Sequence, residues 1–151
     1  MVELFTYAIF SLTFSTSYQL SGPEKIGLDA EEFVYNDSGK DNLWVTFVLF
    51  SVGAQESMEM TDTELLNYAK STFLGTSKAA VDSKEREVFG IKSVGEVLST
   101  NIPLASDMEI HFITMKNGDK ICVSFKSIKE MNEKTREAII VEILGSLKEE
   151  A

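Results

Sequence analysis

The chain has 151 residues, 44% of them hydrophobic and 10% aromatic, with 24 acidic against 14 basic side chains and a formal net charge of −10. That length suits one domain with a sizeable core, and the composition excludes a disordered or repetitive chain. The acid excess runs throughout (seven acids against two bases in residues 1–50, eight against five in 51–100, nine against seven in 101–151), so no basic face stands ready for phosphates, and nucleic acid and anionic membranes are excluded as expected partners.

Cys122 is the only cysteine, which rules out an intrachain disulfide. The first basic residue is Lys25, and Thr6, Ser11 and Thr13 interrupt the early apolar positions. No signal-peptide pattern and no run of transmembrane length results. The expectation is a soluble, cytoplasmic protein without membrane insertion, or the mature domain of an exported one if a leader or lipid anchor preceded Met1.

In chain order, Leu4 to Phe14 reads as one long strand, apolar on one face and partly on the other, broken at Ser15 to Tyr18. Gly22-Pro23 signals a turn, and a polar loop is expected as far as Ala30. Glu31 to Asn36 forms a strand, Asp37 to Asn42 a hairpin loop, and Leu43 to Val52 a central strand apolar on both faces. Val52 to Met60 reads as a loop in which Met58 and Met60 either pack over the next helix or offer an adaptable contact surface. Thr61 opens that helix with Glu64 at capping-box spacing, Leu65, Leu66, Ala69 and Phe73 form its buried stripe, and Gly75 stops it. Lys78 to Thr100 suggests two strands with a turn near Gly90 or Gly95, and Asn101 to Ser106, holding Pro103, a loop.

The last third is the clearest. Met108, Ile110, Phe112 and Thr114 alternate with Glu109, His111, Ile113 and Met115, and Ile121, Val123 and Phe125 alternate with Cys122, Ser124 and Lys126. Period-two spacing around Asn117-Gly118 predicts a β-hairpin with a type I′ turn. Ser127 and Glu130 stand at capping-box spacing before a closing helix marked by Met131, Thr135, Ala138, Ile139, Ile143 and Leu147. The fold class expected is α+β: one domain over residues 1–151, with an antiparallel sheet of about six to seven strands flanked by helices.

Phe10-Ser-Leu-Thr-Phe followed by Tyr18-Gln-Leu, the central apolar strand, the helix opened by Thr61-Asp-Thr-Glu64, the Asn117-Gly118 hairpin and the closing Ile-Leu-Gly-Ser-Leu-Lys resemble the PsbP-like superfamily. That superfamily includes the extrinsic photosystem II subunit, a Ran-binding nuclear import factor and bacterial lipoproteins. The chain departs from the usual pattern at Ser15, where a proline often ends the first strand, and at Tyr18, where a tryptophan often follows. The resemblance spans roughly residues 5–148. It implies an α/β/α sandwich used for binding other proteins, and it transfers no partner, because no binding motif matches residue by residue.

The chemical inventory names no catalytic, cofactor-binding or metal-binding residue. His111 and Cys122 lie on paired strands, where a dyad or half a metal site is conceivable, but neither an oxyanion donor nor four zinc ligands can be identified, and packing accounts for both. Glu56, Glu59, Asp62 and Glu64 cluster near a helix start, where the macrodipole favours acids, and they lack the ligand spacing of an EF-hand. The glycines form neither a dinucleotide fingerprint nor a phosphate loop. Asn36-Asp37-Ser38 matches a glycosylation acceptor but reads as a turn. The leading expectation is a non-enzymatic protein-interaction or scaffold module whose partner is another protein. The alternatives are a carrier of a small apolar ligand held between sheet and helix, suggested by ten phenylalanines and six methionines, and an enzyme of unknown class. Oligomeric state and biological process are not marked in the sequence.

Overall fold

The structure, a computed structural model, describes residues 3–37, 41–76, 80–99, 105 and 107–150. In chain order the elements are β1 (Phe5–Ile9), β2 (Leu12–Thr16), β3 (Ser21–Gly27), β4 (Ala30–Asp37), β5 (Asp41–Phe50), α1 (Val52–Met58), α2 (Asp62–Thr72), β6 (Asp82–Val88), β7 (Ile91–Leu98), β8 (Met108–Thr114), β9 (Lys120–Ser127), α3 (Glu133–Ser146) and β10 (Lys148–Glu149). Seven strands form one antiparallel sheet in the order β3-β4-β5-β9-β8-β7-β6, and a second sheet is ordered β1-β2-β10. The class is α+β and mostly sheet.

The expected single N-terminal strand is a hairpin. Ile9 pairs with Leu12 across a two-residue turn, Phe10-Ser11, which lacks the glycine or asparagine that usually marks one. Phe10 takes a left-handed φ of 56°, which is costly for a bulky residue, and its ring packs against the core in compensation. The polar stretch expected to be a loop is instead edge strand β3, with a cis Gly22–Pro23 bond and two register shifts against β4. The segment read as a loop from Val52 forms α1, capped by Ser51, whose hydroxyl accepts from Ala54 N–H. Met58 and Met60 pack against the core beside α2.

The remaining expectations hold in part. The Thr61–Glu64 capping box is formed in both directions, and α2 ends before Gly75, whose φ is 68°. Strands β6 and β7 turn at Phe89-Gly90, both left-handed. At the Asn117-Gly118 hairpin the type I′ turn is replaced by a longer one: Gly118 N–H donates to Met115 C=O and Met115 N–H to Asp119 C=O, and only Gly118 is left-handed. This is a three-residue loop with a glycine bulge. The Ser127–Glu130 cap is also displaced. Ser127 ends β9 opposite Leu43 and is buried, so the helix starts later, with Asn132 Oδ1 accepting from Thr135 N–H.

Strand parity divides the core between the two faces of the large sheet. Phe33, Leu43, Val45, Phe47, Ile121, Val123 and Phe125 pack with the small sheet and with Ile139, Ile140, Ile143 and Leu144 of α3. Ala30, Val48, Phe50, Met108, Ile110 and Cys122 pack with Leu65 and Ala69 of α2. Phe14 joins the two sheets, with its ring centroid 5.2 Å from Phe33, 5.4 Å from Tyr7 and 5.6 Å from Phe47, contacts worth about 1 kcal/mol each beyond burial. Polar clamps fix α3 to β2. Glu142 accepts from Ser17 N–H at 2.5 Å and from Thr16 Oγ1 at 3.0 Å, and Ser146 Oγ accepts from Ser15 N–H at 2.8 Å.

Candidate functional site

The densest polar cluster lies on the α3 side of the sheet, where β6, β7 and β8 supply neighbouring side chains. Residues of equal parity across antiparallel strands share a face. Arg86 stands opposite Ser93, and Val97 opposite Glu109. His111 follows two residues after Glu109, so the alternation predicted for this strand brings them together. Gly95 lets the imidazole lie across β7: a Cβ there would sit 2.5 Å from His111 Nε2.

The contacts are closely spaced. His111 is fully buried, its Nδ1 is 2.9 Å from Ser93 Oγ and its Nε2 is 2.7 Å from Glu109 Oε2. Nε2–H donates to the carboxylate, and the Ser93 hydroxyl pairs with Nδ1. Arg86 donates from Nε and Nη2 to the two Glu109 oxygens, both at 2.9 Å, and from Nη2 to Glu137 Oε2 of α3 at 3.0 Å, with Nη1 closing a second contact to Glu137. Burial alone would raise the Glu109 carboxyl, but hydrogen bonds from His111 and Arg86 and their charges outweigh it and hold the group at about 2. Burial likewise works against the Arg86 guanidinium, and its two carboxylate partners more than restore it. The Arg86 hydrogen bond leads the causes that lower Glu137.

Ser93, His111 and Glu109 stand in the order of a nucleophile, base and orienting acid. The ring is sealed, however, and Arg86 grips both oxygens of the acid. Of these three only Ser93 lines a recess, one of about 360 Å³ shared with Phe89, Ile91, Phe112 and Ile113. The cluster ties three strands and α3 together through internally paired charge.

Cys122 sits opposite Phe112, on the α2 side of the sheet, so it cannot act with His111. Burial pushes its thiol up to about 12. Near it, Lys70 of α2 is buried and donates to Glu96 at 2.7 Å. The acids near α2 have separate duties: Glu64 closes the capping box, Asp62 pairs with Lys120, and Glu56 and Glu59 are exposed. Among the described residues no three of His, Cys, Asp and Glu converge to hold a metal ion, and no helix is long and apolar enough to cross a membrane. Ser38 of the Asn36-Asp37-Ser38 motif lies outside the described residues, as does most of the expected Asn101 to Ser106 loop.

Sequence reasoning missed Arg86, Ser93 and Glu137. Arg86 had a readable signal, because it shares strand parity with buried Val88 and therefore points inward.

A groove of about 660 Å³ lies where the β6–β7 turn, the β8–β9 turn and the end of α3 meet, lined by Phe89, Ile91, Met115, Lys116, Leu147 and Glu149 among others. Strand β7 pairs with β8 only from Leu98–Met108 to Glu96–Ile110, and the 360 Å³ recess lies between their unpaired parts. Beyond Glu96 the hairpin leaves the sheet, carrying Ile91 and Val94 into solvent at 68% and 63% exposure. The sequence matches no protein-family model and no curated protein.

Proposed function

We propose that this chain is a non-enzymatic protein-interaction module of the PsbP-like, α/β/α type, soluble and cytoplasmic, needing no cofactor or metal and recognising another protein through the β6–β7 hairpin. The observation that carries this reading is the end of β7–β8 pairing at Glu96, beyond which Ile91 lines the 660 Å³ groove and Val94, exposed on the opposite face of the hairpin, borders the 360 Å³ recess. Exposed apolar side chains next to a concave apolar floor mark contact surfaces more often than accidents of packing. The rim carries Lys116 and Lys148 together with Glu149, a mixed set of charges that suits an apolar segment flanked by polar residues. The polar cluster behind it supports the same reading, since its charge is spent on holding β6, β7 and β8 to α3.

The test is affinity capture from a native lysate with the wild-type chain and with Ile91→Asp/Val94→Asp. A defined protein retained by the wild type and lost by the variant, with salt-sensitive association, is the expected result. Recovery of the same proteins by both, or of chaperones alone, refutes it.

A second reading, a carrier of a small apolar ligand, draws on the same groove, whose volume falls within the usual range for ligand sites. Displacement of a fluorescent apolar probe, abolished by Met115→Asp, would favour it over a protein partner.

A further inference from the structure

Among the described residues, three strands of some length end a sheet without a neighbour, and two of them are defended. Strand β3 has Pro23, register shifts against β4 and the charges of Glu24 and Lys25. Strand β6 alternates charge along Lys84-Glu85-Arg86-Glu87. Such devices prevent sheet edges from pairing with other chains. Strand β1, Phe-Thr-Tyr-Ala-Ile, has no charge, no proline and an unbroken register against β2.

We propose that the free edge of β1 pairs with β1 of a second copy of this chain, giving a two-fold dimer with a continuous six-stranded sheet, β10-β2-β1-β1-β2-β10. The backbone supports it. The two-residue turn makes Ile9–Leu12 a hydrogen-bonded pair, and alternation then gives Tyr7–Phe14 and Phe5–Thr16 the same pattern. The N–H and C=O groups of Thr6 and Ala8 therefore point away from β2, along the open edge. A two-fold axis normal to an antiparallel pair brings together residues of the same parity. Centred on Tyr7, it places Thr6 against Ala8 of the second copy and Phe5 against Ile9, and each Thr6–Ala8 pair exchanges two backbone hydrogen bonds.

Charge selects this edge for self-pairing. The same symmetry applied to β6 and centred on Glu85 sets exposed Glu85 against itself, which is repulsive. On β1 every facing pair is neutral. Leu4, 60% exposed in the single chain, and Glu3 pass the end of the second copy's β1, where that chain turns away at Phe10-Ser11. Two bodies of net charge −10 can approach here without bringing carboxylates together, and added salt screens the remaining repulsion.

Sedimentation and light scattering across a concentration series test the proposal. The expected result is a species of twice the 16.8 kDa chain mass, favoured by added salt. Ala8→Pro removes an N–H that the β2 ladder does not use, once in each copy, and should weaken the dimer about thirty-fold. Thr6→Lys, at an exposed position, sets two cations on the joined edge and should also give monomers, with an unchanged circular dichroism spectrum. A wild-type chain that stays monomeric at all concentrations, or a dimer indifferent to both substitutions, overturns the proposal.

Discussion

Replacing Arg86 with methionine tests how much of the fold depends on the buried charge cluster. The guanidinium spans Glu109 and Glu137, and its own side chain is 7% exposed. A carboxyl held at about 2 instead of its ordinary 4.5 favours ionised Glu109 by about 3 kcal/mol. Arg86→Met removes much of that and leaves the burial penalty of the carboxylate uncompensated, a loss of roughly 3–5 kcal/mol by analogy with other broken buried pairs. The Glu137 contact adds little, because that side chain is 40% exposed and water screens it. At pH 7 the expected destabilisation is about 4 kcal/mol, a fall in Tm of about 12 °C for a domain of this size. The folded value of Glu109 lies below the unfolded one, so its stabilisation is present above about pH 4.5 and is lost as pH falls toward 2. The gap between wild type and variant should therefore narrow by more than half between pH 7 and pH 3. Urea titrations at pH 7, 5 and 3 measure this. A loss under about 1 kcal/mol at pH 7, or an equal loss at pH 3, would refute the reasoning.

Gly95→Ala places a Cβ 2.5 Å from His111 Nε2 and 2.8 Å from the Ile110 carbonyl oxygen, and should cost about 2 kcal/mol in chemical denaturation; a neutral result would mean that the imidazole is free to move. Lys70 and Glu96 should respond unequally. Lys70→Met leaves only a partly exposed Glu96 without a partner and should change stability by less than about 1 kcal/mol, whereas Glu96→Ala strands a buried ammonium and should cost about 3 kcal/mol. Equal losses in thermal melts would contradict that asymmetry. Thr61→Ala removes one half of the capping box and should cost about 1 kcal/mol, with hydrogen exchange at Glu64 N–H rising because that bond is lost.

Elements announced by local chemistry were legible in the sequence. The α2 cap, the alternation of β8 and β9 and the double-sided apolar run of β5 each express a rule confined to a few neighbouring residues. The failures have physical causes. The Phe10-Ser11 turn has no turn residue, and core packing of Phe10 supplies the stabilisation that glycine would otherwise provide. Strand β3 looks like a loop because it is an edge strand and exposed almost throughout. Ser127 matches a helix cap, but its pairing with Leu43 extends the strand past it. The charge cluster was half visible: alternation put Glu109 and His111 on one face, but their meeting with Arg86, Ser93 and Glu137 depends on strand order, which no local pattern encodes.

The clamps between β2 and α3 also bear on how the chain is made. Ser15 and Ser146 are 131 residues apart, and β10 completes the small sheet only after α3 has been synthesised. At ordinary translation rates the hairpin that carries Phe14 waits on the order of ten seconds for its α3 and β10 partners. During that interval its apolar face is available to chaperones on the ribosome, so biogenesis of this protein should be more sensitive to chaperone supply than the stability of the finished fold would suggest.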